Sequence, residues 1–366
     1  MAIGIGGAGG KLASLMSPNS VAVNVSETEL SKVNSSNKIL AFANTERGQL
    51  KGAKKNPSIG KAAFNSIRQQ LLDLIQGDML ITSSGGGTGN GITSQVLDVI
   101  STYDNIPDIR KTQFVIILPY APRESHEYIV NTLDFLSGSL SNAVDSTNTG
   151  NLFLFSNKLK FEQRISEDKY NQMIVEAIKK FDSIPRKGDS FDLLEGHIDH
   201  EDFMAYRSKS FFNYFCFFEY DAERYFGDQL SENPNPLLLS PDTPIEALFL
   251  LEVPADYDHT IFYNILDHFA SIKVAPMYSV VRNPNIDKPL VTVSMLYSRK
   301  PHDLVEDFKR ISEESTKIKI EKSLEQYVQF EKMEVSLNDE AQKVAEERGE
   351  NTDEIITVLK RLGKLK

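Results

Sequence analysis

A glycine-rich stretch at residues 83–91 has the residue types and the setting of a phosphate-binding loop. The apolar residues 79–81 before it predict a buried strand, and apolar residues three to four positions apart over 92–100 predict a helix after it. Glycines let the backbone approach an anion closely, and the N–H groups at the start of a helix point towards it. Thr88 adds a hydroxyl donor within the loop. The stretch therefore predicts a site for phosphate groups.

This loop fits neither of two common nucleotide-binding patterns. A P-loop needs Gly-Lys-Ser/Thr and a dinucleotide fingerprint needs Gly-x-Gly-x-x-Gly, whereas residues 85–91 read Gly-Gly-Gly-Thr-Gly-Asn-Gly. That order resembles the loop of the tubulin/FtsZ superfamily of GTPases. A flexible glycine linker is the alternative, but apolar elements flank the loop on both sides. The resemblance implies that the phosphates of GTP are bound by Gly85, Gly86, Gly87, Thr88, Gly89 and Asn90.

The composition is that of a folded protein with a core. The chain has 366 residues, enough for two domains, of which 40% are hydrophobic and 25% charged. No apolar run reaches the roughly 20 residues of a membrane span, and no basic signal-peptide region opens the chain. The single cysteine, Cys216, excludes an intrachain disulfide, and no Cys/His cluster has zinc spacing. We therefore expect a cytoplasmic protein with no membrane partner, and its net charge of −11 argues against a broad nucleic-acid surface.

Two loops in the first 30 residues resemble further phosphate-binding loops of the superfamily. Residues 6–11, Gly-Gly-Ala-Gly-Gly-Lys, follow a short predicted strand, and Lys11 stands where the family usually has an amide side chain. Residues 23–27, Val-Asn-Val-Ser-Glu, resemble the family's Ala-Val-Asn-Thr-Asp segment, whose acid lies near the metal-bound phosphates. Here a serine occupies the place of that acid. The resemblance implies nucleotide contacts from Gly6, Gly7, Ala8, Lys11, Asn24 and Ser26.

A fourth loop resembles the one that closes over the γ-phosphate. Residues 52–60 match the family's Gly-Ala-Gly-x-Asn-Pro pattern, with lysines in place of a glycine and a small residue. Residues 43–46, Ala-Asn-Thr-Glu, lie too close before this loop to replace the segment at Asn24, and a polar turn is their simpler interpretation. Lysines at a loop tip are usually solvated, but beside a triphosphate Lys54 would sense the terminal charge. The resemblance implies contacts from Gly52, Ala53 and Lys54.

The residues expected to contact the sugar and the base follow later strands or lie in the first turns of a long helix. Residues 114–118 predict a strand, and Pro119-Tyr120 after it resembles the family's Pro-Phe loop beside the sugar. Residues 152–155 predict the next strand. Ser-Asn-Lys-Leu after it resembles the family's Pro-Asn-Asp-Lys-Leu loop, whose amide suits guanine because it offers a donor and an acceptor together. Residues 166–184 predict a central helix with one apolar face. The resemblance implies ribose or guanine contacts from Glu124, Asn157, Tyr170 and Asn171.

Two acids after the central helix are the candidate catalytic residues. Residues 196–203 resemble the family's Asn-x-Asp-x-x-Asp loop, which reaches the nucleotide of the neighbouring subunit, with His197 in place of Asn. The resemblance implies catalytic roles for Asp199 and Asp202. Capping of a helix by the same acids is one alternative. A metal site built on His-x-Asp-His is another, but no other His or Cys stands near in sequence.

The second half of the chain lacks glycine loops. Its predicted strands at 247–253, 274–281 and 290–295, with one amphipathic helix at 260–271, indicate a mixed sheet. Residues 185–190 between the halves are expected to be flexible. The last 16 residues carry four bases against two acids on a predicted helix, a reversal of charge sign in an acidic chain. A contact for a partner and a frayed, solvated end are the alternatives for this segment.

The ordered loops together resemble the tubulin/FtsZ superfamily over nearly the whole chain, and the compact body with its basic tail resembles the plasmid- and phage-borne TubZ group. The implied fold is α/β, with a Rossmann-like parallel-sheet GTPase domain and a smaller α+β domain with a mixed sheet. The implied segments are a GTP-binding domain at 1–165, the central helix and catalytic loop at 166–202, the C-terminal activation domain at 203–300, and C-terminal helices with the basic tail at 301–366.

The function implied by the resemblance is GTP-dependent assembly into head-to-tail filaments of identical subunits, each site being completed by the next subunit. GTP or GDP would be bound, with Mg²⁺ held mainly through phosphates and water. The basic tail would contact a DNA-binding adaptor, so that filaments segregate plasmid or phage DNA. A cell-division GTPase of the FtsZ type and a structural filament with negligible turnover are alternatives. An NAD-type Rossmann enzyme would leave residues 85–91 unexplained.

Overall fold

The computed structural model describes residues 1–45, 48–75, 77–102 and 111–314, together with residues 317 and 321. The chain divides into two compact units, Met1–Lys309 and Arg310–Lys366. The described part of the second unit is helical. The basic tail predicted at residues 351–366 lies outside the described residues.

Thirteen strands are found in the described residues, and most coincide with runs of buried apolar side chains. Gln113–Leu118, for example, is buried along its whole length, as expected of a central parallel strand that is covered on both faces. The strands are β1 (Ala2–Ile5), β2 (Val21–Asn24), β3 (Asn37–Leu40), β4 (Asn44–Thr45), β5 (Gly48–Gln49), β6 (Met79–Ser83), β7 (Gln113–Leu118), β8 (Leu152–Ser156), β9 (Asp192–Gly196), β10 (Phe212–Glu219), β11 (Pro244–Val253), β12 (Met277–Arg282) and β13 (Leu290–Tyr297).

Helices connect these strands. A π-helical turn, Leu136–Leu140, joins α5 to α6, a 3₁₀ turn, His259–Ile261, precedes α12, and residues 301–314 are helical. The helices are α1 (Gly6–Met16), α2 (Glu27–Ser31), α3 (Pro57–Leu74), α4 (Thr88–Thr102), α5 (His126–Phe135), α6 (Ser141–Asp145), α7 (Lys158–Glu162), α8 (Glu167–Asp182), α9 (Ile184–Ser190), α10 (His200–Arg207), α11 (Phe226–Glu232) and α12 (Phe262–Ser271). Among the helices described, none is both long and apolar enough to cross a bilayer.

Eleven of the described strands form one sheet in the order β3-β2-β1-β6-β7-β8-β10-β13-β11-β12-β9. The half from β3 to β8 is parallel. In the other half β13 is antiparallel to both neighbours, and β12 is parallel to β11 but antiparallel to β9. The predicted α/β fold, with a parallel sheet followed by a mixed one, is confirmed.

The two halves meet at a narrow seam. Strands β8 and β10 share one paired position, Leu152 with Phe212. Beside it, the buried Asn213 Nδ2 donates across the seam to Asn151 Oδ1 over 2.6 Å. Ser294 Oγ, on β13 in the same half as Asn213, donates to Asn213 Oδ1 over 2.8 Å. Asn151 Nδ2 also donates to the backbone oxygen of Lys209, 2.9 Å away. The seam is therefore held by side-chain and backbone hydrogen bonds around one paired position instead of by a long strand ladder.

Two segments differ from the sequence prediction. Residues 185–190, expected to be flexible, belong to α9, because Ile184 and Pro185 are buried at its start and proline suits the first turn of a helix. The strand expected at 274–281 begins only at Met277. The central helix predicted at 166–184 is α8, and Ser166 caps it by accepting a hydrogen bond from Lys169 N.

Candidate functional site

A cavity of about 520 Å³ opens at the carboxyl ends of five parallel strands. Its lining includes the residues that end or follow these strands: Gly6, Asn24, Ser83, Pro119 and Asn157. Parallel sheets bind ligands at this edge, because all the connecting loops of one half converge there. The volume falls within the range of roughly 300–1,000 Å³ that is usual for small-molecule sites. The fold therefore places a ligand cavity at the loops that the sequence singled out.

Two glycine loops form one wall of the cavity and touch each other. Gly6 has a φ of +77°, and a Cβ there would lie 2.9 Å from Gly89 N, so both backbone conformation and space require glycine. Gly6 begins α1 and Thr88 begins α4. Two helix N-termini therefore face the same cavity, an arrangement that favours anionic groups.

The loop at residues 52–56 closes against the second glycine loop. A Cβ on Gly87 would lie 2.7 Å from Asn56 N, which shows how closely the two backbones approach. Asn131 Nδ2 donates both to Lys55 O and to Gly85 O, each over 2.8 Å. One side chain of α5 thus fastens both loops, so that residues 52–55 form a wall facing the glycines.

A carboxylate lies beside the first glycine loop. Asn24 Nδ2 donates to Glu29 Oε2 over 2.9 Å, and Ser26 Oγ accepts from Glu29 N over 3.3 Å. A Cβ on Gly7 would lie 3.1 Å from the same Oε2. A carboxylate therefore lies beside this loop at Glu29, in the first turn of α2, whereas Ser26 carries none.

The opposite end of the cavity is rich in amide and carboxylate groups. Asn157 Nδ2 donates to both oxygens of Glu124, at 3.2 and 3.1 Å, and Tyr120 N donates to Glu124 Oε2 over 2.5 Å. Tyr170 OH donates to the backbone oxygen of Ser156 over 2.5 Å, and burial raises the pKa of this phenol. These fixed polar groups can read the donor and acceptor pattern of a heterocyclic base or a sugar.

Most residues predicted to bind nucleotide line this cavity. The structure brings together Gly6, Gly7, Ala8, Asn24, Ser26, Gly52, Ala53, Lys54, Gly85, Gly86, Gly87, Thr88, Gly89, Glu124, Asn157, Tyr170 and Asn171. Asn24 belongs to this lining, whereas the alternative segment at residues 43–46 does not, and its Glu46 lies outside the described residues.

Two predicted binding residues lie outside the lining. Lys11 Nζ is 2.5 Å from Glu167 Oε1, and this lysine holds the pKa of the Glu167 carboxyl below its usual value. Asn90 Nδ2 donates to Ser84 O over 2.5 Å and to Asn131 O over 2.8 Å. Lys11 is therefore paired with a carboxylate. The amide of Asn90 hydrogen-bonds the backbone of the glycine loop to that of α5 on the side away from the cavity lining.

Sequence reasoning missed part of the lining. Lys55, Ser83 and Pro119 lie within or directly beside the motifs described above, so their proximity to the site could have been inferred from the same patterns. The remaining residues project from helix faces or strand ends that carry no motif, and only the packing brings them here. The lining residues that were missed are Leu12, Glu29, Lys55, Ser83, Ile117, Pro119, Tyr128, Lys160 and Glu167.

The two candidate catalytic acids lie outside the lining of this cavity. Asp199 Oδ1 accepts from Asp202 N over 2.7 Å and caps α10, as the capping alternative expected. Asp202 is exposed, as are His197 and His200. Within the described residues, no group of three or more His, Cys, Asp or Glu side chains is arranged to hold a metal ion.

The central helix α8 connects the cavity to the acidic loop. Tyr170 and Asn171, in its first turns, line the cavity. At its other end Asp182 Oδ1 is 2.8 Å from an Arg207 nitrogen at the end of α10, and Arg207 Nε donates to Gln113 Oε1 over 2.7 Å. Burial raises the pKa of Asp182. A buried ion pair thus fixes the helix that follows Asp199 against the helix that starts at the cavity.

Comparisons with known proteins agree with this arrangement. Residues 11–157 match the family model described as Tubulin/FtsZ family, GTPase domain. A search of curated proteins finds no match.

Similar solved structures cover most of the chain. The GTPγS-form protofilament of Bacillus thuringiensis serovar israelensis TubZ has a TM-score of 0.67 and 15% identity, covering 89% of this chain and 93% of that one. Clostridium botulinum phage c-st TubZ has a TM-score of 0.61 and 17% identity, covering 86% and 97%. An FtsZ dimer from M. jannaschii has a TM-score of 0.57 and 20% identity, covering 80% and 86%. At 15–20% sequence identity, these comparisons show that the folds are similar.

Proposed function

We propose that the chain binds and hydrolyses GTP and assembles head to tail into filaments, because residues 11–157 match the GTPase-domain model of the Tubulin/FtsZ family and the fold is similar to that of TubZ and FtsZ. The observation that carries this proposal is the cavity at the strand ends, with two touching glycine loops at one end and amide and carboxylate groups at the other. A nucleotide has its groups in the same order, with phosphates at one end and a hydrogen-bonding base at the other.

The phosphates would lie against the glycine loops and the start of α1 and α4, where backbone N–H groups donate. The base would lie at the amide end. Guanine presents two N–H donors and a carbonyl acceptor on one edge, which suits a set of carboxylate and amide groups. We propose that Asn157 and Asn171 contact this edge, that the Tyr170 ring packs on the base, and that Glu124 contacts the ribose.

The residues present fit a magnesium ion bound with the phosphates. A bare carboxylate such as Glu29 beside the first glycine loop would repel phosphate unless a cation lay between them. Mg²⁺ usually keeps several waters and is bound through one or two carboxylates plus phosphates. We propose that Glu29, oriented by Asn24, holds the hydrated ion, which neutralises charge on the phosphates when bound.

Hydrolysis would require a second subunit. Asp199 and Asp202 lie outside the lining of their own cavity, and Asp202 is exposed, which supports the proposal that these acids act on another molecule. In a head-to-tail contact they would approach the terminal phosphate of the neighbour's nucleotide and orient the attacking water. Such a heterologous contact does not close on itself and therefore generates filaments.

The direct test uses the purified full-length chain with GTP, ATP and NAD. We expect binding of GTP in preference to the other two, a rise in light scattering on addition of GTP, and release of phosphate. Binding of NAD without GTP would contradict the proposal and favour a dinucleotide enzyme. Scattering without phosphate release would instead indicate a structural filament.

The cellular role that we propose is segregation of plasmid or phage DNA in the cytoplasm. Two of the similar structures are TubZ proteins, one of them from a phage. The basic tail at residues 351–366, which lies outside the described residues, is the proposed contact for a DNA-binding adaptor. The net positive charge of this segment suits a contact with an acidic surface of the adaptor or with the DNA beside it.

Deletion of residues 351–366 should leave GTP hydrolysis and filaments intact but weaken binding to an adaptor–DNA complex. The loss should be larger at low salt, because electrostatic contacts are screened as salt rises. A matched variant replaces Lys360, Arg361, Lys364 and Lys366 by Gln and keeps the chain length. Binding by sedimentation with the filaments measures the effect, and loss of assembly in either variant would place the tail in the filament instead.

A further inference from the structure

We propose that Lys55 is a triphosphate sensor, whose ammonium group exchanges its contact with Glu127 for the terminal phosphate of a bound nucleoside triphosphate. This inference rests on the proposed function and adds a specificity-determining residue to it. The sensor would let the protein favour GTP over GDP through one charged side chain at the mouth of the cavity.

The backbone of Lys55 is fixed at the cavity wall. Its carbonyl oxygen accepts from Asn131 Nδ2, the same nitrogen that donates to Gly85 O in the facing glycine loop. The next residue, Asn56, accepts from Ser58 N over 2.9 Å and caps α3. The side chain of Lys55 therefore leaves a rigid support that faces the loop expected to hold phosphate, and it belongs to the cavity lining.

The backbone conformation at Lys54 and Lys55 indicates that their side chains have a role. Lys54 has a φ of 47° and Lys55 a φ of 60°, both in the left-handed region that glycine adopts without strain. Two consecutive non-glycine residues therefore hold a backbone that glycines would adopt at lower free energy. Strained conformations of this kind are concentrated at functional sites, which favours a role for the side chains themselves.

The present contacts of the Lys55 ammonium group are easily exchanged. Nζ lies 3.4 Å from Glu127 Oε2 and 4.8 Å from the centre of the Tyr128 ring, both on α5. The side chains of Lys55 and Glu127 are 45% and 68% exposed, and ion pairs at such exposure contribute little to stability. A terminal phosphate offers more negative charge and several acceptor oxygens, so it would compete successfully with one solvated carboxylate.

The charge difference between the two nucleotides makes this exchange selective. A diphosphate lacks the terminal group next to residues 52–55, so Lys55 would keep its contact with Glu127. A triphosphate would draw the ammonium group inwards, because a lysine is a compact point charge on a flexible stem. Lys61, exposed in the first turns of α3, is not part of the lining and serves as a matched control.

The test measures the dissociation constants of GTPγS and GDP for the full-length chain and the variants Lys55→Gln, Lys55→Gly, Glu127→Gln and Lys61→Gln. For both Lys55 variants we expect about tenfold weaker binding of GTPγS, the effect of one charged hydrogen bond, with GDP within about twofold of wild type. Glu127→Gln should strengthen GTPγS binding by about twofold, because the competing carboxylate is gone. Lys61→Gln should bind like wild type.

The possible outcomes separate this inference from the proposed function. Wild type that binds neither nucleotide would contradict the proposed function itself. Normal wild-type binding with an unchanged preference in both Lys55 variants would overturn the sensor, and so would an equal loss of both nucleotides. Lys55→Gly keeps the left-handed backbone, so it should unfold at no lower temperature than wild type. A thermal unfolding curve thereby shows that any loss of preference comes from the missing charge.

Discussion

A variant with Leu in place of Gly86 is expected to lose measurable binding of both GTP and GDP, a drop of at least about 100-fold in affinity. Gly86 lines the cavity, and a Cβ there would meet only Ser83 Oγ, at 3.3 Å, within 4 Å. The backbone can therefore accept the substitution, but the larger side chain would fill the space next to the glycine loop where phosphate is expected. The loss should be equal for the two nucleotides, in contrast to the Lys55 variants.

Two further variants control this experiment. Gly86→Ala adds one methyl group and should weaken binding less than Leu. Lys61→Leu places the same side chain at an exposed position in the first turns of α3 that is not part of the cavity lining. This variant should bind like wild type in the same calorimetric titration. Unchanged affinity in Gly86→Leu would remove the basis for placing phosphates at this loop.

The second large effect is expected at the acids outside the cavity. Replacing Asp202 by Asn should lower GTP hydrolysis by about 100-fold or more, the scale of a lost general base or positioning group. GTP binding and assembly should persist, because the cavity is elsewhere and one exposed carboxylate contributes little to a whole interface. Filaments of the variant should last longer, since their GTP no longer decays to GDP. Phosphate release and light scattering measure both effects.

Asp199 caps α10, so a substitution at this position must keep the cap if only the charge is to be tested. Its carboxylate accepts from Asp202 N, so Asp199→Ala would remove a helix cap as well as a charge, at a cost of about 1 kcal/mol in stability. Asp199→Asn keeps a side chain that caps equally well and removes only the charge. Glu201→Gln, on the same exposed turn, is the control and should turn over GTP like wild type.

The wild type provides the sharpest check on a shared site. If the acids act on the next subunit, turnover per molecule should be near zero below a critical concentration and rise once filaments form. A constant turnover per molecule across the dilution series would show that each chain is complete alone. Full activity in Asp202→Asn and Asp199→Asn would contradict the assignment of these two acids.

The glycine loops could be located from the sequence because their pattern is local. A buried strand, a glycine turn and a helix follow one another within some 25 residues, and the structure has β6, the loop and α4 in that order. The superfamily resemblance extended this reasoning to Asn24, Asn157 and the start of α8. All of these residues line one cavity, because the carboxyl ends of parallel strands share one edge.

Contacts between distant segments could not be predicted in this way. Lys11 was expected at a phosphate, but it is paired with Glu167, 156 positions along the chain. Glu29 and Asn131 reach the site from helices whose sequences show no motif. The aromatic run at 212–219 was not identified as a strand, because it is buried on both faces and does not alternate with polar residues. These features depend on tertiary packing that a local pattern does not encode.

The seam in the sheet has a mechanical consequence. A shift of β10 by one residue against β8 would turn its side chains to the opposite face, separate Asn213 Nδ2 from Asn151 Oδ1 and break the bond from Leu152 N to Phe211 O. Each buried polar group left without a partner costs about 1–3 kcal/mol, so even a small slip is resisted by several kcal/mol. A force applied to one half of the sheet would therefore be transmitted to the other half without slippage between β8 and β10. In a rod built from many copies end to end, stiffness would then be limited by the contacts between subunits and not by the interior of each one.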